Sequence, residues 1–355
     1  MLRVRNPLVM QCGVFTTSYA DDLAFHFTPV ARLRVAFILA VLFALPFLAS
    51  RYVVSIATLA GIFAVGALGL NILTGFTGQI SIGHGAFVGV GAYTSGILTA
   101  KLGLPFWVAL PVAGLVSAAV GSLFGIPSLR LKGLYLAIAT LAAQVIIDFT
   151  MIHWESLTNG SRGMFLPAPV FFGHKVEGVG FYYLTLVTLL LATGFAFNLF
   201  RSRTGRAFVA IRDRDLAAEV MGINLFRYKL TAFAVSSFYA GIAGALWGHF
   251  TQVISPEHFT IVLSIQYLAM VIIGGLGSVM GSLYGAAFII LLPILLRSVA
   301  GLFSGFFPEI DRIILSLKET VFGLTIILFL VFEPEGLAKL WKNVKDYFRL
   351  WPFSY

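Results

Sequence analysis

The sequence predicts an all-α transmembrane bundle of about ten spans, and three observations carry that expectation. The 355 residues are 59% hydrophobic and only 11% charged, with a mean hydropathy of +0.95. A soluble domain carries about 25% charged residues, so a chain this poor in charge cannot cover a water-facing surface of its size. Apolar runs of about 20 residues, the length needed to cross hydrocarbon, recur along the chain. The 36 glycines suit helices that approach one another closely in lipid.

The candidate spans fall at roughly 33–50, 52–73, 80–100, 105–125, 133–152, 180–200, 229–250, 259–274, 279–298 and 313–332. The eighth is short, and the third and ninth are rich in glycine. Residues 32–335 then form one transmembrane domain, flanked by tails 1–31 and 336–355. The first apolar run starts near Leu33 with no early small-residue cleavage site, so residues 1–31 read as a polar cytoplasmic tail and not as a removed signal. A single cysteine, Cys12, excludes a disulfide framework within the chain.

A net charge of +9 raises the question of nucleic acid, but the basic residues lie in short loops between apolar runs. They orient the chain instead. With both ends inside, 17 of the 24 Lys and Arg residues are cytoplasmic, concentrated at 201–229 and 339–349. Arg51, Lys101, Arg162, Lys175, Arg297, Arg312 and Lys318 fall outside. Two loops are long: 153–179, outside, and 201–228, inside. These are the places for soluble partners.

Within the inner loop, DRDLAAEVMG (213–222) predicts a short helix. Asp213 is suited to cap its start, and Gly222 to end it in a left-handed conformation. Leu216 and Val220 share a face, with Ala217 and Met221 beside them. Such a helix suits docking into a partner's groove. A topology signal with a surface helix on headgroups explains the same residues, and the pattern alone leaves the two readings balanced.

TGFTGQISIGHGAFVGVGAY (74–93) has glycines at 75, 78, 83, 85, 89 and 91, with Gly85, Gly89 and Ala92 forming a small-residue face. Gln79, Ser81 and His84 place polar groups at or near membrane depth. Interrupted glycine-rich spans line translocation paths, but plain helix packing is the favoured account of most of these glycines. VIIGGLGSVMGSLYGAAFII (271–290), with Gly274 and Gly275, is a second glycine-rich entry into a span. GHGAF and YGAAF are loosely alike, a hint of an internal repeat.

Ionisable residues within spans are functional candidates: His84, Asp148, His249, Arg297, Lys318 and Glu319. None is an acid clearly at mid-membrane, which speaks against an ion-coupled carrier. The dipeptide Gly-Lys never occurs, so there is no GxxxxGK[ST] phosphate loop; HExxH, CxxC and GxSxG are absent as well. No metal site or catalytic group is expected. Active transport would draw its energy from an ion gradient or another subunit.

Five stretches carry a resemblance: LNILTGFTGQISIGHGAFVGVGAY (70–93), SLRLKGLYLAIATLA (128–142), SRTGRAFVAIRDRDLAAEVMGIN (202–224), SPEHFTIVLSIQYLAMVIIGGLGSVMGSLYGAAF (255–288) and LFLVFEPEGLAKLW (328–341). In order and spacing they resemble the LivM-type permeases of branched-chain amino acid ABC importers. The resemblance implies a non-catalytic subunit of the bacterial inner membrane. Its partners would be a second homologous permease, two cytoplasmic ATPases that bind ATP and Mg, and a periplasmic amino-acid-binding protein. No cofactor would sit in this subunit. The resemblance also places the ATPase-coupling segment on Gly205, Arg206, Arg212, Ala217, Ala218 and Gly222. For the translocation path or helix packing the candidates are Gln79, Ser81, His84, Gly85, Gly89, Gly274 and Gly275. Related importers of urea, amides, sugars or another small polar solute share this architecture, and an ion-coupled carrier is a more distant alternative.

Overall fold

The computed structural model describes residues 29–128, 131, 133–171, 174–303, 320, 323–329, 331–333 and 335–350. Apolar runs fold as helices because in lipid each backbone N–H and C=O must find its partner within the segment. In order these are α1 (Pro29–Leu48), α2 (Arg51–Leu70), α3 (His84–Gly96), α4 (Phe106–Ser128), α5 (Leu134–His153), α6 (Val179–Arg201), α7 (Arg203–Asp213), α8 (Asp215–Val220), α9 (Leu225–Thr251), α10 (Ile261–Gly274), α11 (Val279–Phe303) and α12 (Gly336–Leu350). Two helices continue as π-helix, α2 through Asn71–Phe76 and α3 through Ile97–Lys101.

Among the described residues, seven helices are long and apolar enough to cross a membrane: Arg51–Phe76, Phe106–Pro127, Leu134–His153, Val179–Arg201, Leu225–Thr251, Pro256–Gly274 and Val279–Ser298. The first expected span corresponds to α1, whose apolar part is the shorter Leu33–Leu48. The third corresponds to α3 with its π extension, which begins at His84 because Gln79–Gly83 is not helical. Of the tenth, 323–329 is helical; Arg312, Lys318 and Glu319 lie outside the described residues, as do tail residues 1–28.

α9 is the hub, packed against α2, α3 and α4, while α10 pairs with α11. Helix axes come close where side chains are missing. A Cβ on Gly91 of α3 would overlap the backbone of Gly241 on α9, and one on Gly244 would overlap the carbonyl of Val88. Such small-residue contacts replace the hydrophobic driving force that lipid removes.

The helix connections gather at two ends. At one end lie Gly75–Gln79, the loop 201–224, Gly275–Ser278 and the start of α12. At the other, Met164–Phe165 pairs antiparallel with Val253–Ile254, and Lys101 donates from Nζ to the Ser156 and Leu157 carbonyls at 2.8 and 2.7 Å.

Candidate functional site

The first N–H groups of a helix have no partner within it. At the start of α3 they are satisfied from other helices. Ile82 N donates to Thr140 Oγ1 (3.0 Å), Gly85 N to Ser264 Oγ (2.7 Å) and Ala86 N to Gln144 Oε1 (2.8 Å). Gln144 also accepts from Ser264 Oγ at 2.9 Å and donates to Asp148 Oδ1 and the Phe259 carbonyl at 2.8 and 2.7 Å. One glutamine therefore joins α3, α5, α10 and the turn before α10. His84 is fully buried; its Nε2 lies 2.9 Å from the Gly66 carbonyl of α2 and its ring meets Tyr267 edge-on.

Gly85 and Gly89 face other helices. A Cβ on Gly85 would stand 2.8 Å from Ser264 Oγ, and one on Gly89 3.0 Å from both Met151 and Phe259. Gln79 and Ser81, just before α3, are buried. Gln79 Nε2 donates to Thr77 Oγ1 at 3.0 Å. Among the described residues, Gln79 Oε1 and Ser81 Oγ have no hydrogen-bond partner. Gln79 lines a cavity of about 550 Å³ together with Gly78, Arg212, Arg214, Ala217 and Lys229.

The second glycine-rich break is clasped by Asn71, at the start of the π segment of α2. Its Nδ2 donates to the Ser278 carbonyl and to Ser282 Oγ, both at 2.8 Å, and its Oδ1 accepts from Gly277 N at 2.9 Å. Asn71 opens the π-helical segment Asn71–Phe76, and short π segments inside α-helices are common at functional sites. Gly75 is glycine for a steric reason: a Cβ there would overlap both the Asn71 amide oxygen and Gly277 N. Gly274 packs on the Gly281 backbone of α11, and Gly275, at φ +114°, carries the Glu335–Gly336 turn. The breaks are thus cross-braced: α10 caps the start of α3, and α2 caps the start of α11.

The loop 201–224 reaches both. α6 turns into α7 at Ser202, which caps α7 from its Oγ; a Cβ on Gly205, in the first turn of α7, would overlap the Phe200 backbone, and Arg206 Nη1 donates to the Arg201 carbonyl at 3.0 Å. Arg212 Nη1 donates to the Gly75 carbonyl at 3.0 Å, and its Nε lies 3.2 Å from Asp213 Oδ1. Gly78 lies against the same side chain.

One expectation for 213–222 needs correction. The segment is not one helix capped by Asp213: α7 runs through Asp213, the chain breaks at Arg214, and α8 starts at Asp215. Asp213 faces the Arg212 guanidinium, which competes for the oxygens a cap would use. Ala218, named for coupling by the resemblance, is buried at 4% exposure, whereas Leu216, Val220 and Met221 are 67%, 87% and 82% exposed. Ala217 is exposed. Gly222 does end the helix in a left-handed turn, at φ +85°, with its N–H donating to Glu219 and that of Ile223 to Ala218.

At the opposite end His249 is buried between Ser95 Oγ (2.9 Å) and the Pro167 carbonyl (3.0 Å), beside a cavity of about 550 Å³ lined by Phe106, Trp107 and Pro167–Val170. Among the described residues no group of three or more His, Cys, Asp or Glu is placed to hold a metal. Sequence reasoning missed Asn71, Thr140, Gln144 and Ser264. The signal was present, an uncharged polar residue in an apolar helix, but attention to ionisable groups and glycines passed over it.

The family model described as branched-chain amino acid transport system / permease component matches residues 52–330. The chain belongs to this permease family. The high-affinity branched-chain amino acid transport system permease protein LivM of Salmonella typhimurium LT2 is 35% identical over 334 residues, covering 87% of this chain and 75% of that protein. LivM of Escherichia coli K12 is 34% identical over the same extent. LivH of Escherichia coli K12, another permease protein of a high-affinity branched-chain amino acid transport system, is 28% identical over 250 residues, or 64% of this chain and 79% of its own. No solved structure matches at a significant level. In this permease the matched segment encloses both glycine-rich breaks, the Asn71 clasp and the whole of loop 201–228.

Proposed function

We propose that this chain is the LivM-like permease subunit of an ATP-driven importer, carrying leucine, isoleucine and valine across the bacterial inner membrane by alternating access. The observation that carries the reading is the family match along 52–330, with LivM relatives at 34–35% identity. The chain is multi-pass, with about ten spans and both ends cytoplasmic. It performs no chemical step. A second homologous permease completes the pathway, two ATPases bind ATP and Mg, and a periplasmic protein delivers the amino acid.

Loop 201–228 is the ATPase-coupling element in this reading. Leu216, Val220 and Met221 make the outward contact, while Gly205, Arg206, Ala217, Ala218 and Gly222 shape the loop. Arg212 passes its displacement to Gly75, and the Asn71 clasp passes it on to Gly275–Ser278. Rocking of helices about two braced breaks is the kind of motion alternating access requires. Gly85, Gly89 and Gly274 hold helices in contact; Gln79, Ser81 and His84 lie beside the moving segment.

The deciding experiment purifies the complex and tests each amino acid, loaded on the binding protein, for stimulation of ATP hydrolysis. Stimulation by leucine, isoleucine or valine is expected. Stimulation by urea or an amide instead would reassign the substrate, and uptake with no ATPase subunit present would refute the ATP-driven reading.

A further inference from the structure

We propose that α12 is an interfacial helix lying on the anionic cytoplasmic surface of the bilayer, with Leu340, Trp341, Val344 and Tyr347 in the headgroup–acyl boundary. These four recur at helical spacing on one stripe and are 39%, 62%, 47% and 60% exposed. A continuous exposed apolar stripe of this kind marks an interaction surface. The rest of the helix is basic: Lys339, Lys342, Lys345 and Arg349 stand against one acid, Asp346. Lys342 and Lys345 are exposed, and Lys339 is bonded to Glu335.

Apolar and aromatic residues on one side with lysines on the other is the composition of helices that lie in a membrane interface. Trp and Tyr favour that depth. Each basic side chain near an anionic surface adds about a fivefold preference for it. A protein occupant would not require this excess of lysine, whereas a headgroup layer complements it.

Continuity in the chain points the same way. Just before α12, Leu324, Ile327, Leu328, Val331 and Phe332 are 44–76% exposed, an apolar surface that lipid covers in a membrane-spanning segment. Only a tight turn separates it from α12: Gly336, at φ +71°, donates from its N–H to the Glu333 carbonyl at 2.9 Å. The root of α12 is fixed to the protein, with Gly336 against Gly275 and Leu337 against the core. Adsorption of the rest would therefore anchor the Gly275–Ser278 turn to the bilayer surface. The inference concerns lipid and not cargo, so it stands or falls independently of the transported substrate.

The test uses the full chain with Cys12→Ser and one new cysteine, Val344→Cys or Lys342→Cys, carrying an environment-sensitive fluorophore. Both sites are exposed, and elution as a single species checks integrity. In phosphatidylcholine vesicles containing phosphatidylglycerol, the label at 344 is expected to shift to the blue and to be quenched by a shallow nitroxide lipid, while the label at 342 is not. Omitting phosphatidylglycerol, raising salt, or adding Lys342→Glu with Lys345→Glu to the 344-labelled chain should lower the adsorbed-to-lifted ratio tenfold or more. No quenching at 344 in any vesicle, or equal quenching with and without phosphatidylglycerol, would overturn the proposal. So would loss of quenching on adding the ATPase subunits, which would assign the stripe to a protein partner.

Discussion

Arg212 donates from Nη1 to the Gly75 carbonyl across 3.0 Å, joining two residues 137 positions apart in the chain. The acceptor sits in the π segment of α2, one turn after Asn71, whose amide clasps Gly277 and Ser278. One side chain thus connects loop 201–224 to a break that is braced against α11. Arg212→Ala should leave insertion and docking intact and lower uptake per ATP hydrolysed about tenfold, the effect of roughly 1.4 kcal/mol and the lower end for a charge-assisted bond because the side chain is 39% exposed. Arg212→Lys should recover part of this, since one ammonium cannot reproduce the fork. Parallel assays of uptake and hydrolysis check it; unchanged coupling in Arg212→Ala would remove the proposed link.

Asn71 should matter more for stability. Asn71→Leu keeps the bulk but leaves Gly277 N without its acceptor and removes one donor to the Ser278 carbonyl, which still accepts from Ser282 N. Unsatisfied buried groups cost about 1–3 kcal/mol each, so a drop in detergent melting temperature of several degrees is expected, with transport lost. A wild-type melting curve would show that water or relaxation replaces the clasp.

The glycine contacts make a graded prediction. Gly85→Leu and Gly89→Leu force bulk against Ser264, or against Met151 and Phe259, and overpacking costs about 1–3 kcal/mol or more. Both should lose thermal stability and uptake. Gly194→Leu on α6, where a Cβ meets nothing within 4 Å, is the control and should keep both. Equal behaviour of the three would mean that the close contacts are not what selects glycine.

For the proposed coupling loop the structure separates two substitutions. Val220→Glu changes a residue 87% exposed and should leave the isolated permease as stable as wild type while ATPase co-purification falls. Ala218→Glu places a carboxylate at a site 4% exposed; an unpaired buried charge costs several kcal/mol, so the permease itself should be destabilised. Full ATP-dependent uptake in Val220→Glu would show that the exposed face of α8 is not the docking surface.

Topology is checked with reporters. One fused after Gly160 should read as periplasmic and one after Arg214 as cytoplasmic, because the Lys and Arg asymmetry predicts loop 153–179 outside and 201–228 inside. Both on one side would overturn the orientation.

By itself the sequence determined that this chain is a helical membrane bundle, where most of its helices run and which family it belongs to. Hydrophobic run length and the backbone's need for internal partners in lipid are local properties, and the family motifs are contiguous strings. It also located both glycine-rich breaks and the left-handed stop at Gly222, because glycine there answers a local backbone demand. What only the tertiary structure decided were the partners of uncharged polar side chains. Asn71, Gln144 and Ser264 bond across separations of 115 to 211 residues, and no local pattern names the far partner. The inward turn of Ala218 was decided in the same way. Periodicity tells which residues share a face, but α8 has fewer than two turns, and the neighbouring helices choose which face is covered. They left Leu216, Val220 and Met221 in the open.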